Sequence, residues 1–380
     1  MNWLQHHWYR ITPLHLILFP VSLVFRALVA LRREMYRNGT LSSQQLLLPV
    51  IVVGNINVGG TGKTPLTLAL AQQLVEHGWH PLIVSRGFGG STQNPRYVDA
   101  SSTAQQVGDE PLLMARRTIC PVWVGRDRVK AARAALHAHP QCDVVLCDDG
   151  LQHYRLQRDV EIAVIDAVRR FGNGLMLPAG PLREPVSRLQ SVDAVVVNVQ
   201  ARNPRYALPH PNPDGTTSHS TKPASGQVAG YLPQGEGANE SLREFQFDGD
   251  AAPAGQYVMR LSGDTFYNLL DPDKKASASH FHSQNNHAVA GIGNPQRYFQ
   301  HLEALGIPFT PHAFPDHHPY SAPDLAFANC DAILLTEKDA VKCAAFANER
   351  YWVLRVDAQI DSALLDHILR KIKINGSQTA

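Results

Sequence analysis

The sequence predicts an α/β protein: a parallel sheet with helices on both faces, an apolar helix ahead of it, and a second, smaller α/β unit behind it. Three observations carry this expectation. Apolar runs of strand length alternate with helical patterns from residue 47 onward. The chain has 380 residues, more than one compact core usually holds. Residues 11–25 carry no Lys, Arg, Asp or Glu and stand apart from all that follows.

The N-terminal stretch comes first. The uncharged run ITPLHLILFPVSLVF contains Pro20 and is followed by Arg26, an apolar 27–31, and Arg32, Arg33 and Arg37. It is shorter than the roughly 20 residues a spanning helix needs. An amphipathic helix lying at a membrane interface, its arginines reaching for headgroups, ranks first. A helix buried against its own domain ranks second, and a spanning helix third. A signal peptide lacks its basic cluster ahead of the apolar run.

Next come the alternating elements. Strands are expected at 47–53, 81–85, 121–124, 143–147, 160–165 and 194–199. Helices are expected at 65–77, 111–117 and 128–137, the first with Leu66, Leu70 and Leu74 on one face. From 201 to 255 the chain turns rich in Pro, Gly, Ser, Asn and His without periodicity, which reads as a flexible insertion. Order resumes near Tyr257, with strands at 288–290, 332–335 and 352–356 and helices at 297–305 and 339–348. The expected organisation is therefore a membrane-associated helix (1–40), an α/β core (41–200), the insertion (201–255) and a smaller C-terminal α/β unit (256–380) that closes over the core.

Composition narrows the function. Hydrophobic residues at 44% and charged residues at 18% give an ordinary globular balance. A net charge of +2 is too small to argue for nucleic acid. Five cysteines with no CxxC spacing suggest neither a disulfide framework nor a zinc site, and fit a reducing compartment.

The strongest local signal is VVGNINVGGTGKT, residues 52–64, where an apolar strand enters a glycine-rich turn that opens a helix. Such a phosphate-binding loop uses Gly59, Gly60 and Gly62 to bring backbone N–H groups onto phosphate oxygens. Lys63 bridges the outer phosphates and the Thr64 hydroxyl takes Mg²⁺. Asn57, Val58 and Thr61 complete the loop. Asn57 replaces the usual first glycine, and Asn tolerates the left-handed region better than most residues. Asp148 ends the apolar strand 143–147 and is the expected second magnesium group, with Asp149 sharing or orienting that role. The bland alternative is that Asp148-Asp149-Gly150 is only a turn. A switch GTPase needs Asp where Cys147 stands and an Asn-Lys-x-Asp reader, which TEKD at 336–339 does not match. ATP is the expected nucleotide.

Taken together, NVGGTGKT, SRGFGG (85–90), VGDEP (107–111), GRDR (125–128), DDGLQH (148–153), PLREP (181–185), AGIGNPQRY (290–298), FPDHHPY (314–320) and LTEKDAVK (335–342) resemble the tetraacyldisaccharide 4′-kinase family, the lipid A 4′-kinases of Gram-negative bacteria. The likeness runs from about residue 14 to the last strand and skips 201–255. It implies transfer of the ATP γ-phosphate to the 4′-hydroxyl of a lipid-linked glucosamine disaccharide 1-phosphate. It also implies a location at the cytoplasmic face of the inner membrane, among its lipids, held through the N-terminal helix.

The resemblance assigns Asp109 as the base that accepts the sugar hydroxyl proton. On residue pattern alone Asp109 reads as a helix cap before Pro111. His317 is the matching partner that orients the carboxylate, with His318 as its alternative. Glu110, Asp149, His153, Arg183 and Glu184 form a second tier: Glu110 reaching a magnesium water, Arg183 meeting transition-state charge, or each making a surface ion pair. Arg86 and Arg128 are candidates for the phosphate already on the acceptor. The competing class is a P-loop switch ATPase or metallochaperone-like binder without a lipid acceptor. It leaves the apolar helix and the Asp109/His317 pair unexplained. A scaffold with a vestigial loop conflicts with intact Lys63 and Thr64.

Overall fold

The computed structural model describes residues 7–9, 12–199 and 255–376. The expected insertion at 201–255 lies, but for Gly255, outside them.

Helix α1 (Leu14–Arg37) precedes strand β1 (Val50–Gly54), α2 (Lys63–Glu76), β2 (Pro81–Ser85), β3 (Arg96–Tyr97), α3 (Ala104–Val107), α4 (Asp109–Arg117), β4 (Val122–Val124), α5 (Arg128–Ala138), β5 (Val144–Asp148), β6 (Val160–Asp166) and β7 (Ala194–Val199). After 255 come β8 (Gln256–Ser262), β9 (Thr265–Asn268), β10 (Lys275–Ser277), β11 (Asn286–Ala290), α6 (Pro295–Ala304), β12 (Thr310–Ala313), β13 (Ala332–Thr336), α7 (Glu337–Cys343), β14 (Tyr351–Leu354), β15 (Asp357–Ile360) and α8 (Ser362–Gly376).

These strands form two sheets. The first has nine strands in the order β15-β8-β7-β6-β1-β5-β2-β4-β3, parallel except where β3 and β15 pair at its edges. The second has six, β10-β9-β14-β13-β11-β12, with a parallel centre. Near-continuous apolar strands are what two covered faces require. In β1, Ile51 and Val53 enter the core on one face while Val50 and Val52 enter the core on the other. Leu66, Leu70 and Leu74 of α2 lie fully buried on the first of these faces. Strand β1 sits where the order reverses, with β5, β2 and β4 on one side and β6 to β8 on the other. That is where an open α/β sheet binds its ligand.

The segment 256–380 does not keep to the second sheet. Strands β8 and β15 extend the first sheet beyond β7, and Leu364, Leu365, Ile368 and Ile372 of α8 bury into its core. Strands that return from distant sequence carry no local mark of the sheet they join.

Helix α1 is longer than the uncharged run, 24 residues or about 36 Å. It is long and apolar enough to cross a membrane. It is not the buried helix of the second-ranked expectation. One stripe touches the protein: the Ser22 hydroxyl donates to Met176 O at 2.8 Å, and Phe25 and Val29 pack on the core. The other face shows Leu16 at 80%, Ile17 at 72%, Val24 at 60% and Leu28 at 59% exposure. An unpartnered apolar face of this extent is what a lipid-facing helix presents.

Candidate active site

The loop after β1 is held from several directions. Asn55 Nδ2 donates to Gly59 O at 3.4 Å and to Thr61 Oγ1 at 3.2 Å, and Val58 N donates to Pro181 O at 2.8 Å. Gly62 caps α2 with φ +100°, and a Cβ there would stand 2.4 Å from Asn198 Nδ2, which itself donates to Thr61 O at 2.8 Å. Only glycine fits that position. Asn57 corrects the turn argument. It is absent from the residues with positive φ, is buried, and spends its amide on Arg170 O at 3.1 Å. Its role is to tie the loop to the 170–182 segment rather than to adopt a left-handed turn.

Lys63 and Thr64 open α2 beside the end of β5. The Lys63 ammonium stands 3.5 Å from Asp149 Oδ1. Asp148 is fully buried, with Thr67 Oγ1 donating at 3.2 Å and Ser85 Oγ at 3.5 Å. Burial first, then Glu110 and Asp149, pushes its carboxyl up to about 7. Burial acts in the same sense on Asp149, but Lys63, Arg183 and Arg128 more than offset it and hold this carboxyl well below the usual range. Arg183 Nη1 lies 3.4 Å from both Asp149 oxygens, and Arg128 Nη2 donates to the Asp149 carbonyl at 3.0 Å. Arg128 is thus buried and committed to the Asp149 turn, whereas Arg86 is exposed. Burial and the neighbouring Arg128 lower the pKa of Arg86. The residues fit a magnesium ion: the Thr64 hydroxyl at the start of α2 and the buried Asp148 carboxyl, whose ionisation is costly without a nearby cation. Among the described residues no three His, Cys, Asp or Glu cluster as a metal site. Magnesium bound to nucleotide needs none, because phosphates and water supply most ligands.

Asp109 and His317 come together from opposite sheets. Asp109 begins α4 and is buried; His317 follows β12. His317 Nδ1 lies 3.0 Å from each Asp109 oxygen. His318 points elsewhere, 3.6 Å from Asp324 and packed on Phe314 and Tyr320. Burial alone raises the Asp109 carboxyl; the His317 hydrogen bond and Lys338 reverse this and leave it below its ordinary value. Of the four described non-glycine residues with positive φ, Asp149 (+47°) and His317 (+60°) both stand in this cleft. Strain held at two such positions is typical of functional sites. The residues just after SRGFGG and just before VGDEP are joined by backbone hydrogen bonds from Ser91 N to Gln105 O and from Thr92 N to Gln106 O, and Phe88 stands beside His317 with ring centroids 5.1 Å apart.

The second tier divides. Glu110 accepts from Lys338 at 3.0 Å. Glu184 is buried, its backbone N–H reaching Ile56 O of the loop at 3.3 Å, but its carboxylate is spent on Gln152 at 2.8 Å and Tyr154, so its side chain belongs to the packing behind the DDGLQH segment. His153 is held neutral: burial and Arg128 lower its pKa to about 4.

The sequence reading passed over four residues. Arg297 of α6 donates to Asp166 at 3.0 Å and to Asn198 at 2.7 Å, and Asn198 reaches the phosphate loop. Asp339 accepts from Gly291 N at 3.0 Å, fixing the GIGNP turn. A Cβ on Gly293 of that turn would stand 2.9 Å from Gly60 N. Lys338 faces Asp109, Glu110, Asp316 and His317. The available signal was position: charged residues opening a helix at the end of an apolar strand sit where α/β sheets bind ligands.

The family model described as tetraacyldisaccharide-1-P 4′-kinase matches residues 14–373. Relatives described as tetraacyldisaccharide 4′-kinase include those of Methylobacillus flagellatus (44% identical, covering 98% of this chain and 96% of the relative), Azoarcus sp. (47%; 97% and 94%) and Dechloromonas aromatica (45%; 100% and 99%). A crystal structure described as an "apo" form LpxK from Aquifex aeolicus in complex with ATP shares the fold, with TM-score 0.67 and 24% identity over 93% of this chain and 98% of that one. A cleft built from a phosphate loop, paired aspartates and an Asp–His couple, matched over nearly the whole chain, gives one conclusion: the chain belongs to the tetraacyldisaccharide-1-P 4′-kinase family.

Proposed function

We propose that this protein transfers the γ-phosphate of ATP to the 4′-hydroxyl of the tetraacyldisaccharide 1-phosphate precursor of lipid A, working at the cytoplasmic face of the inner membrane. The observation that carries the site assignment is the Asp109–His317 pair, 3.0 Å apart and assembled beside the phosphate loop from two different sheets.

In this reading the loop 57–64 holds the phosphates with backbone N–H groups and the Lys63 ammonium. Thr64 and Asp148 would hold a magnesium ion, which would supply positive charge against the phosphates. Asp109 accepts the hydroxyl proton as the new P–O bond forms. His317 donates Nδ1–H to Asp109 and aims the carboxylate. Arg183, drawn to Asp149, meets charge on the transferring group. Arg86, an exposed cation beside other arginines, suits the acceptor's own phosphate better than Arg128, which is spent on Asp149. The exposed face of α1 brings the site to lipid.

The test is radiolabelled phosphate transfer in detergent micelles with the disaccharide 1-phosphate as acceptor. Wild type transfers label, and Lys63→Ala and Asp109→Ala do not. An ATP-binding wild type that transfers nothing to this acceptor defeats the reading.

A further inference from the structure

Lys338 stands at the start of α7, immediately beyond the end of β13, with its side chain 17% exposed. Its ammonium lies 3.0 Å from Glu110 Oε1 and 3.3 Å from Asp316 Oδ1. It is 3.9 Å from Asp109 Oδ2 and 3.5 Å from His317 Nε2. Burial by itself disfavours the charge, but Glu110, Asp109 and Asp316 more than offset this and raise the pKa above the ordinary lysine value. The group is therefore a standing cation with donors only.

That fixes what His317 can do. On one side Nδ1 faces both Asp109 oxygens and must carry a proton to bond them. On the other side two groups compete for Nε2. Asp316 Oδ2, at 3.8 Å, would draw a proton onto it, whereas Lys338 can only donate to it. Lys338 holds Asp316 through the other carboxylate oxygen and brings positive charge against Nε2. Both effects favour a bare Nε2.

We propose that Lys338 is a positioning residue for phosphoryl transfer: it clamps Glu110 of α4 to Asp316 beyond β12, and it keeps the His317 proton on Nδ1, facing Asp109. The inference rests on the reading of Asp109 as the base. Without Lys338, Asp316 and Asp109 flank the imidazole as two carboxylates, and Asp316 draws the ring proton toward Nε2. That change alters how His317 presents its hydrogen bond to the base.

The test combines spectroscopy and kinetics on the full chain in micelles. Long-range ¹H–¹⁵N spectra of histidine-labelled protein report which ring nitrogens are bare, with the His317 signal identified by its loss in His317→Gln. Wild type is expected to show a protonated Nδ1 and a bare Nε2. In Lys338→Met the bare Nε2 signal is lost, kcat falls roughly 10- to 100-fold, as for one charge-assisted hydrogen bond, and KM for ATP stays within about threefold. Lys338→Arg, which restores a cationic donor, recovers the Nε2 signal and most of kcat. The proposal is overturned by a Lys338→Met protein that keeps the bare Nε2 signal. It is equally overturned by one whose loss of transfer merely follows its loss of folded, ATP-binding protein. Asp109→Asn separates the two layers. If that variant stays active, the base reading falls and this inference with it. If it is inactive while Lys338→Met is fully active, only the role of Lys338 falls.

Discussion

Replacing His317 with alanine removes a donor that faces both oxygens of Asp109. The contact is short, 3.0 Å to each oxygen, and its acceptor is a buried carboxylate. A hydrogen bond to such a charged group contributes about 1.5–3 kcal/mol. If all of that is felt as the carboxylate takes up the hydroxyl proton, kcat falls roughly 10- to 150-fold. Asp109→Asn removes the proton acceptor itself and costs roughly 10²- to 10⁴-fold. The two effects are not independent, because the imidazole acts through the carboxylate. In the Asp109→Asn background the His317 change should therefore cost less than about threefold. The assay is initial-rate transfer of label from ATP to lipid acceptor in micelles for the four proteins of the cycle, with melting curves to match their folded fractions. Full additivity would refute the coupling. A His317→Ala enzyme at wild-type rate would refute the pairing altogether.

Three further outcomes follow from the same geometry. Gly293→Ala places a methyl 2.9 Å from Gly60 N, so the two backbones must part; at about 1–3 kcal/mol for such overpacking, ATP affinity in a fluorescent-nucleotide titration drops roughly 5- to 150-fold, and an unchanged affinity would mean that the turn does not press on the loop. Asp148 has its folded-state pKa raised from 3.8 to about 7, so the folded protein binds the extra proton and stability without nucleotide or magnesium falls as pH rises through that window; Asp148→Asn should melt higher than wild type at pH 8 and lose that advantage at pH 4, and parallel curves at both would contradict it. Val24→Glu with Leu28→Glu changes two apolar side chains that are 60% and 59% exposed; at about 1.5–3 kcal/mol for each apolar side chain withdrawn from lipid, vesicle binding weakens by at least roughly 100-fold in a sedimentation assay while the melting curve stays put, and wild-type binding would remove α1 from the membrane contact.

How much of this was legible depended on whether the cause was local. The phosphate loop is a run of adjacent residues whose glycines, lysine and threonine each answer to one local demand, so its place between β1 and α2 could be read directly. The central strands were legible because both faces are covered, which leaves apolar runs such as Val50–Gly54 and Ala194–Val199 with no polar alternation. That β8 and β15 join the first sheet was not legible, because pairing partners are set by the path of the chain, not by composition. Asn57 was read through its backbone tolerance, whereas its side-chain bond to Arg170, 113 residues on, decides its place. Lys338 was invisible for the same reason: TEKD failed as a guanine reader, and nothing nearby says that its lysine meets Glu110, 228 residues earlier.

The TEKD and GIGNPQRY segments make sense only when the two sheets are considered together. Glu337 holds Arg117 of α4 at 2.6 Å, Lys338 holds Glu110, and Asp339 holds Gly291. Gly293 then rests against Gly60, and Arg297 reaches Asp166 and Asn198 behind the phosphate loop. Apart from the Asp339–Gly291 bond, which braces the second sheet's own turn, each contact joins residues beyond the carboxyl end of β11 or β13 to residues at or near the carboxyl ends of β1, β6 or β7, or to the α4 segment that carries Asp109. Those ends are where α/β sheets place their ligand chemistry. Here two sheets direct them at one cleft, one bringing the phosphate loop and Asp109, the other His317 and Lys338. In the proposed reading of Asp109 as base and His317 as its orienting partner, the pair has the right geometry only when these contacts are made, which ties residues far from any reacting atom, Glu337 and Asp339 among them, to the chemistry.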